Sequence, residues 1–379
     1  MRASFQTTAF AALAGTSSAL TCTNLTVPVD LSARNGRFNI EAPQNNIEVT
    51  NFILNNGQQG ANYTEQLLQN QTTVSGQYNL AATYCVPGEN STQEAPKTVQ
   101  ILTHGIGFDR SYWNLPFNSG NYSYSAVAAD KYGYATLSFD RLGIGMSSHG
   151  DPIQEIQAAL EIDALRAITE AVRCGSIDGV PEFEKIVHAG HSFGSIQTYA
   201  LTAMYPNISD GIALTGFSQN ATFLPFFQYG GNFIDVKENE ALAPLYDHGY
   251  LAAGNPSGVH TNFLSPNSFD PEILTFAANN GQPVSIGELL TLSASATPNT
   301  YAGPVFVITG ERDVPFCGGS CYNGAPANSS IPAESQKTFM NTEIMTHVVA
   351  GAGHGLNLEY SHPETYKAIN DFFNEKVGA

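Results

Sequence analysis

The residues best suited to chemistry are a serine, an aspartate and a histidine, spaced far apart and each set in a short Gly-containing turn. Gly190-His191-Ser192-Phe193-Gly194 fits the pattern G-x-S-x-G. A β-forming run, Phe183–Ala189, precedes it, and a helical run to Tyr205 follows. A strand-turn-helix of this kind lifts a serine hydroxyl above the sheet and needs glycine where the flanking backbones nearly touch. A serine hydroxyl is a weak nucleophile until a neighbouring base takes its proton. His354, in Gly351-Ala352-Gly353-His354-Gly355, is the candidate base. Asp313, in Thr309-Gly310-Glu311-Arg312-Asp313, is the candidate carboxylate that fixes the imidazole tautomer and stabilises the imidazolium. The order Ser, Asp, His along the chain suits an acyl-transfer site built on such a turn.

An attacked carbonyl also needs donors for its developing oxyanion. His104-Gly105-Ile106-Gly107 follows the run Thr98–Thr103 and exposes backbone amides. The candidate donors are the amides of Phe193 and Ile106, with Gly107 as the alternative. Glu311, His347, His188 and His191 are competitors for the acid and base roles, and each is expected to be structural.

These loops need elements to carry them. Further β-forming runs lie at Tyr134–Phe139, Gly211–Gly216, Pro304–Gly310 and Glu343–Val349, and residues 153–173 repeat apolar positions with helical periodicity. Strands alternating with helices predict an α/β fold with a doubly wound, mainly parallel sheet covered on both faces. Residues 20–96 read as a strand-rich N-terminal part. Residues 97–217 and 303–379 read as the two parts of the core. Residues 218–302 break the rhythm, are rich in Phe, Asn, Pro and Gly, and are expected to form an inserted lid. Phe217, Phe223, Phe226, Phe227 and Tyr229 are its candidate pocket residues, with packing among themselves as the alternative.

Hydrophobic residues make up 42% of the 379 and charged residues 13%, which favours a sizeable core over disorder. The net charge of −18 repels phosphate backbones, so nucleic acid is a poor partner. Residues 1–19 read as a signal peptide, and no later run is long and apolar enough to insert stably in a bilayer. Asn24, Asn62, Asn70, Asn90, Asn121, Asn207, Asn220 and Asn328 head N-x-[ST] sequons. With the leader they point to a secreted glycoprotein. Of the five cysteines, Cys317 and Cys321 could close a local disulfide, and Cys22 with Cys85 could tie the N-terminus to the sheet, leaving Cys174 unpaired. No pattern calls for a nucleotide, flavin or metal, so no cofactor is expected. The oligomeric state is left open.

Together, His104-Gly105 with Trp113 downstream, Phe139-Asp140-Arg141-Leu142-Gly143-Ile144-Gly145-Met146-Ser147, the Ser192 turn, Asp313 and His354 resemble the α/β-hydrolase superfamily over residues 97–375. The likeness is to its lidded esterase, lipase and C–C hydrolase branch, and the N-terminal stretch and sequons look similar to secreted fungal members. The resemblance implies that Asp140 and Arg141 are architectural. It also implies hydrolysis of a small-molecule carboxylic ester through an acyl-enzyme. C–C bond hydrolase, lactonase, peptidase, thioesterase and lyase chemistry use the same three groups and stay open. Epoxide hydrolases and haloalkane dehalogenases of this fold carry aspartate at the turn, where this chain has Ser192.

Overall fold

The computed structural model describes residues 20–88, 91, 94–292, 298–322 and 329–378. The segment read as a signal peptide and the sequon residues Asn90 and Asn328 lie outside these. Two long strands, β1 (Thr21–Phe38) and β2 (Leu68–Val86), form an antiparallel hairpin. Between them run α1 (Asn46–Asn56) and the short α2 (Tyr63–Leu67), where the sequence suggested only strands and turns. Asn45 caps α1 by accepting from the Ile47 and Glu48 amides, while Val49, Phe52 and Ile53 bury one side.

The chain then alternates: β3 (Thr98–Thr103), α3 (Tyr124–Tyr132), β4 (Ala135–Phe139), α4 (Ala158–Arg173), β5 (Lys185–His191), α5 (Phe193–Met204) and β6 (Gly211–Thr215). An insertion follows, with α6 (Leu224–Gly230), β7 (Phe233–Asp235), β8 (Tyr250–Ala253), α7 (Pro256–Phe263), α8 (Pro271–Asn279), β9 (Val284–Ser285) and α9 (Ile286–Thr291). The core resumes with β10 (Val305–Gly310), α10 (Val314–Cys317), β11 (Ile344–Val349) and α11 (His362–Lys376).

The main sheet runs β1-β2-β4-β3-β5-β6-β10-β11, antiparallel at its first two pairings and parallel thereafter. Every residue of β3, β4, β6 and β10 is buried, as expected for strands covered on both faces. The insertion carries its own antiparallel sheet, β7-β8-β9.

Helix α4 starts at Ala158, five residues later than the periodicity from residue 153 suggested. The cause is competition for backbone groups. Asn35 Nδ2 donates to the carbonyls of Gln154 and Glu155, and the Gln154 and Gln157 side chains clamp the main chain of Phe38 and Gly36. Gln154, Glu155 and Gln157 thereby hold β1.

Both disulfides form, Cys22–Cys85 and Cys317–Cys321, and Cys174 is free and exposed. Cys22 and Cys85 face each other in the β1–β2 register, 63 residues apart in sequence. Closing a loop of that length removes unfolded-state entropy worth about 4 kcal/mol. Paired Cys22→Ser and Cys85→Ser substitutions should therefore lower the urea midpoint, with a steeper slope because the uncrosslinked unfolded chain exposes more surface. An unmoved midpoint would show that strand pairing alone holds the hairpin.

Candidate active site

Strand β5 ends at His191 and α5 begins at Phe193, so one residue, Ser192, makes the whole connection. Its φ of 55° and ψ of −117° are a conformation costly for a residue with a Cβ. The glycines permit it. A Cβ on Gly194 would fall 2.3 Å from the Thr103 carbonyl oxygen, and one on Gly105 would fall 2.8 Å from the Ser192 Cβ. The His104–Gly107 loop therefore runs directly against the serine turn.

His104 holds that loop. Its Nδ1 lies 2.8 Å from the Gly105 oxygen, and its Nε2 accepts the Arg141 amide at 3.0 Å. Burial, with Arg141 nearby, keeps the ring neutral by driving its pKa well below the ordinary histidine value. Ile106 is buried, Gly107 has φ of +86°, and the Gly107 oxygen accepts the Gln282 amide from the insertion. The Ile106 and Phe193 amides make no hydrogen bond to another described residue.

Asp313 follows β10 and His354 follows β11, so both come from the same sheet edge as Ser192. His354 Nδ1 lies 2.8 Å from Asp313 Oδ2, with both side chains fully buried. The carboxylate is held on its other sides by the Thr309 hydroxyl at 2.5 Å and the Phe316 amide at 2.8 Å. The Cys317–Cys321 bridge closes the loop just beyond it. The imidazole sits among the rings of His191, Phe263 and Phe316, at 4.8, 5.6 and 5.6 Å. Its Nε2 is buried with no hydrogen-bond partner, and the Ser192 hydroxyl is not bonded to it. Such contacts often tighten only when substrate is bound.

The competitors take structural places. His188 bonds Thr169 and Ser209, and His347 pairs with Glu364 at the surface. Glu311 accepts the Gly351 amide. His191 stacks on Tyr112 at 4.4 Å, and burial, then His354 and His104, push its pKa far down. Asp140 pairs with Arg110, and Arg141 with Glu161 and Glu288. Glu288 belongs to α9, so this buried cluster ties the insertion to the core. The Arg141 guanidinium also lies 4.8 Å from the centre of the Phe193 ring.

Of the five aromatic residues expected to line a pocket, Phe227 lines the cavity under the insertion. Phe217 packs into the core against Tyr199 and Phe316. Phe223 packs by the second disulfide, and Phe226 and Tyr229 are exposed. Of the described sequon asparagines, Asn24, Asn62, Asn70, Asn121 and Asn207 are exposed and Asn220 is half-buried. No described helix is long and apolar enough to cross a membrane.

Sequence reasoning missed Glu359. Its buried carboxylate accepts the Gly353 amide, beside His354, and the Ser265 amide of the insertion, at 2.7 and 2.5 Å. Burial raises its pKa from 4.5 to about 7 against the pull of those amides, with Asp313 adding repulsion. A raised carboxyl pKa means the folded state binds the proton more tightly than the unfolded chain. This contribution to stability is complete below pH 4.5 and lost as pH rises through 7. Glu359→Gln, which cannot ionise, should flatten the fall in Tm between pH 5 and 8; an identical fall in both proteins would refute this assignment.

The sequence from residue 100 to 369 matches the alpha/beta hydrolase family. Similar solved structures include a lipase in an open form, 15% identical, with a TM-score of 0.52 over 80% of this chain and 96% of that one. An epoxide hydrolase from Vigna radiata is 14% identical, with a TM-score of 0.51 over 79% and 95%. A thermophilic esterase from Thermogutta terrifontis is 16% identical, with a TM-score of 0.50 over 79% and 94%. At such identities the likeness is one of fold. No curated protein matches the sequence. With the family matched across most of its length and the sheet order in place, the chain belongs to the α/β-hydrolase family.

Proposed function

We propose that the protein is a serine hydrolase that cleaves a carboxylic ester through an acyl-enzyme on Ser192. The observation that carries this reading is the His354–Asp313 contact, which leaves the opposite nitrogen of a buried imidazole unpartnered near the strained serine turn. In this reading Ser192 Oγ attacks the carbonyl carbon while its proton passes to His354 Nε2. The oxyanion forms against the amides of Phe193 and Ile106. Collapse expels the alcohol, which takes the proton from His354. Water, activated by His354, then releases the acid and restores the serine. Asp313 holds the Nδ1–H tautomer that lets Nε2 accept.

The insertion between β6 and β10 serves as a lid in this reading, tied down by the Arg141–Glu288 pair and the Gln282–Gly107 bond. Two disulfides and the exposed sequons support secretion as a glycoprotein, near the lidded branch known from fungi. The test is pre-steady-state hydrolysis of p-nitrophenyl acetate. A nitrophenol burst stoichiometric with enzyme is expected; ester turnover that persists undiminished in Ser192→Ala would end the reading.

A further inference from the structure

The insertion encloses a narrow chamber beside the candidate site, with about 30 Å³ of space open to a water molecule's centre. Phe108, Phe227, Phe233, Leu242, Val259 and Phe263 form its apolar walls, and glycines and alanines make up much of the rest. Asn239, Asn262 and Gln282 are its polar residues, and among the described residues no charged side chain lines it. Ile106 and Gly107 of the oxyanion loop also face it, yet Ser192 and His354 do not reach its wall.

Phe263 stands between. Its ring lines the chamber, lies 5.6 Å from the His354 ring and 4.9 Å from that of Phe108, and would touch a Cβ on Gly107 at 3.4 Å. Its backbone is anchored to the histidine loop. The Gly355 amide donates to the Phe263 carbonyl at 2.6 Å, and Glu359 holds the amides of Ser265 and Gly353 together. With the main chain fixed on both sides of His354, side-chain rotation is the available way to join chamber and site.

We propose that this chamber receives the uncharged, apolar acyl group of the ester, and that the Phe263 side chain is the partition whose size sets the acyl length accepted. The inference rests on the ester reading above. The acyl group is assigned here because Ile106, whose amide is the candidate donor to the carbonyl oxygen, is among the residues that line the chamber. It also stays on the serine after the alcohol has left. A charged acyl group would enter without a counter-charge and lose its hydration.

The test compares wild type, Phe263→Ala and the milder Phe263→Leu on p-nitrophenyl esters of increasing acyl length, and on acetates of increasing alcohol length. Each methylene that passes from water into apolar surroundings is worth about fourfold in kcat/KM. The ratio of long-acyl to acetate kcat/KM should therefore rise about tenfold in Phe263→Ala, the worth of nearly two methylenes. Phe263→Leu should fall between, and the order among the alkyl acetates should not move. The hemisuccinate ester should react more slowly than the butyrate in all three proteins. An unchanged acyl profile in both variants, a shift confined to the alcohol series, or preference for the hemisuccinate would each overturn the chamber assignment while leaving the ester reading standing. Failure of the wild type to turn over any ester would overturn both.

Discussion

Ser192→Ala is expected to lower kcat on a responsive ester by about 10³- to 10⁶-fold, with KM little changed and the fold intact. On the acyl-enzyme reading proposed above, the size of the effect follows from covalent catalysis, since without the hydroxyl no acyl-enzyme would form and water would have to attack directly. What survives is the positioning of the carbonyl by the oxyanion loop. The fold should tolerate the change, because Ala keeps the Cβ that already occupies the strained conformation and the Ser192 hydroxyl makes no hydrogen bond that folding relies on. Circular dichroism and Tm should match wild type. His354→Ala is expected to behave alike, and the double variant should be little worse than either single one, as for residues that act as a unit.

Asp313→Asn is the second large effect, expected to reduce kcat on the order of 10⁴-fold. Asp313 Oδ1 accepts the Phe316 amide and Oδ2 meets both the Thr309 hydroxyl and His354 Nδ1. An asparagine retains its oxygen toward Phe316 and turns its NH2 toward the imidazole. Nδ1 must then accept, the ring proton moves to Nε2, and Nε2 can no longer take the serine proton. Asp313→Glu tests the geometry instead of the charge, because its longer chain cannot keep the Phe316 bond and the histidine contact together. Nearly full activity in Asp313→Asn would mean the carboxylate is structural, serving as the cap of α10 that it also is.

How much of this was legible in the sequence depends on the range of the interaction. The serine turn, the strand ends carrying Asp313 and His354, and the His104–Gly107 loop were readable because each is a local pattern. The start of α4 was not, since it depends on Asn35, Gln154 and Gln157 meeting β1 across more than a hundred residues. Strands β7, β8 and β9 are too short for alternation to show. In the aromatic cluster at 217–229 ring content alone does not say which face is turned inward; Phe223 and Phe226 pack on each other, and Phe226 and Tyr229 are exposed. Phe263, the ring that does meet His354, comes from a helix whose pattern is unremarkable. Glu359 left one trace, an acid directly after the buried run Gly355–Leu358, but its partner Ser265 lies 94 residues away.

The central claim is tested most directly by treating the native protein with a fluorophosphonate and mapping the modified peptide by mass spectrometry. The account predicts one phosphonyl group per chain, carried on Ser192, absent in Ser192→Ala and formed far more slowly in His354→Ala. A preparation that turns over esters yet takes up no label, or takes it up at another residue, would contradict it.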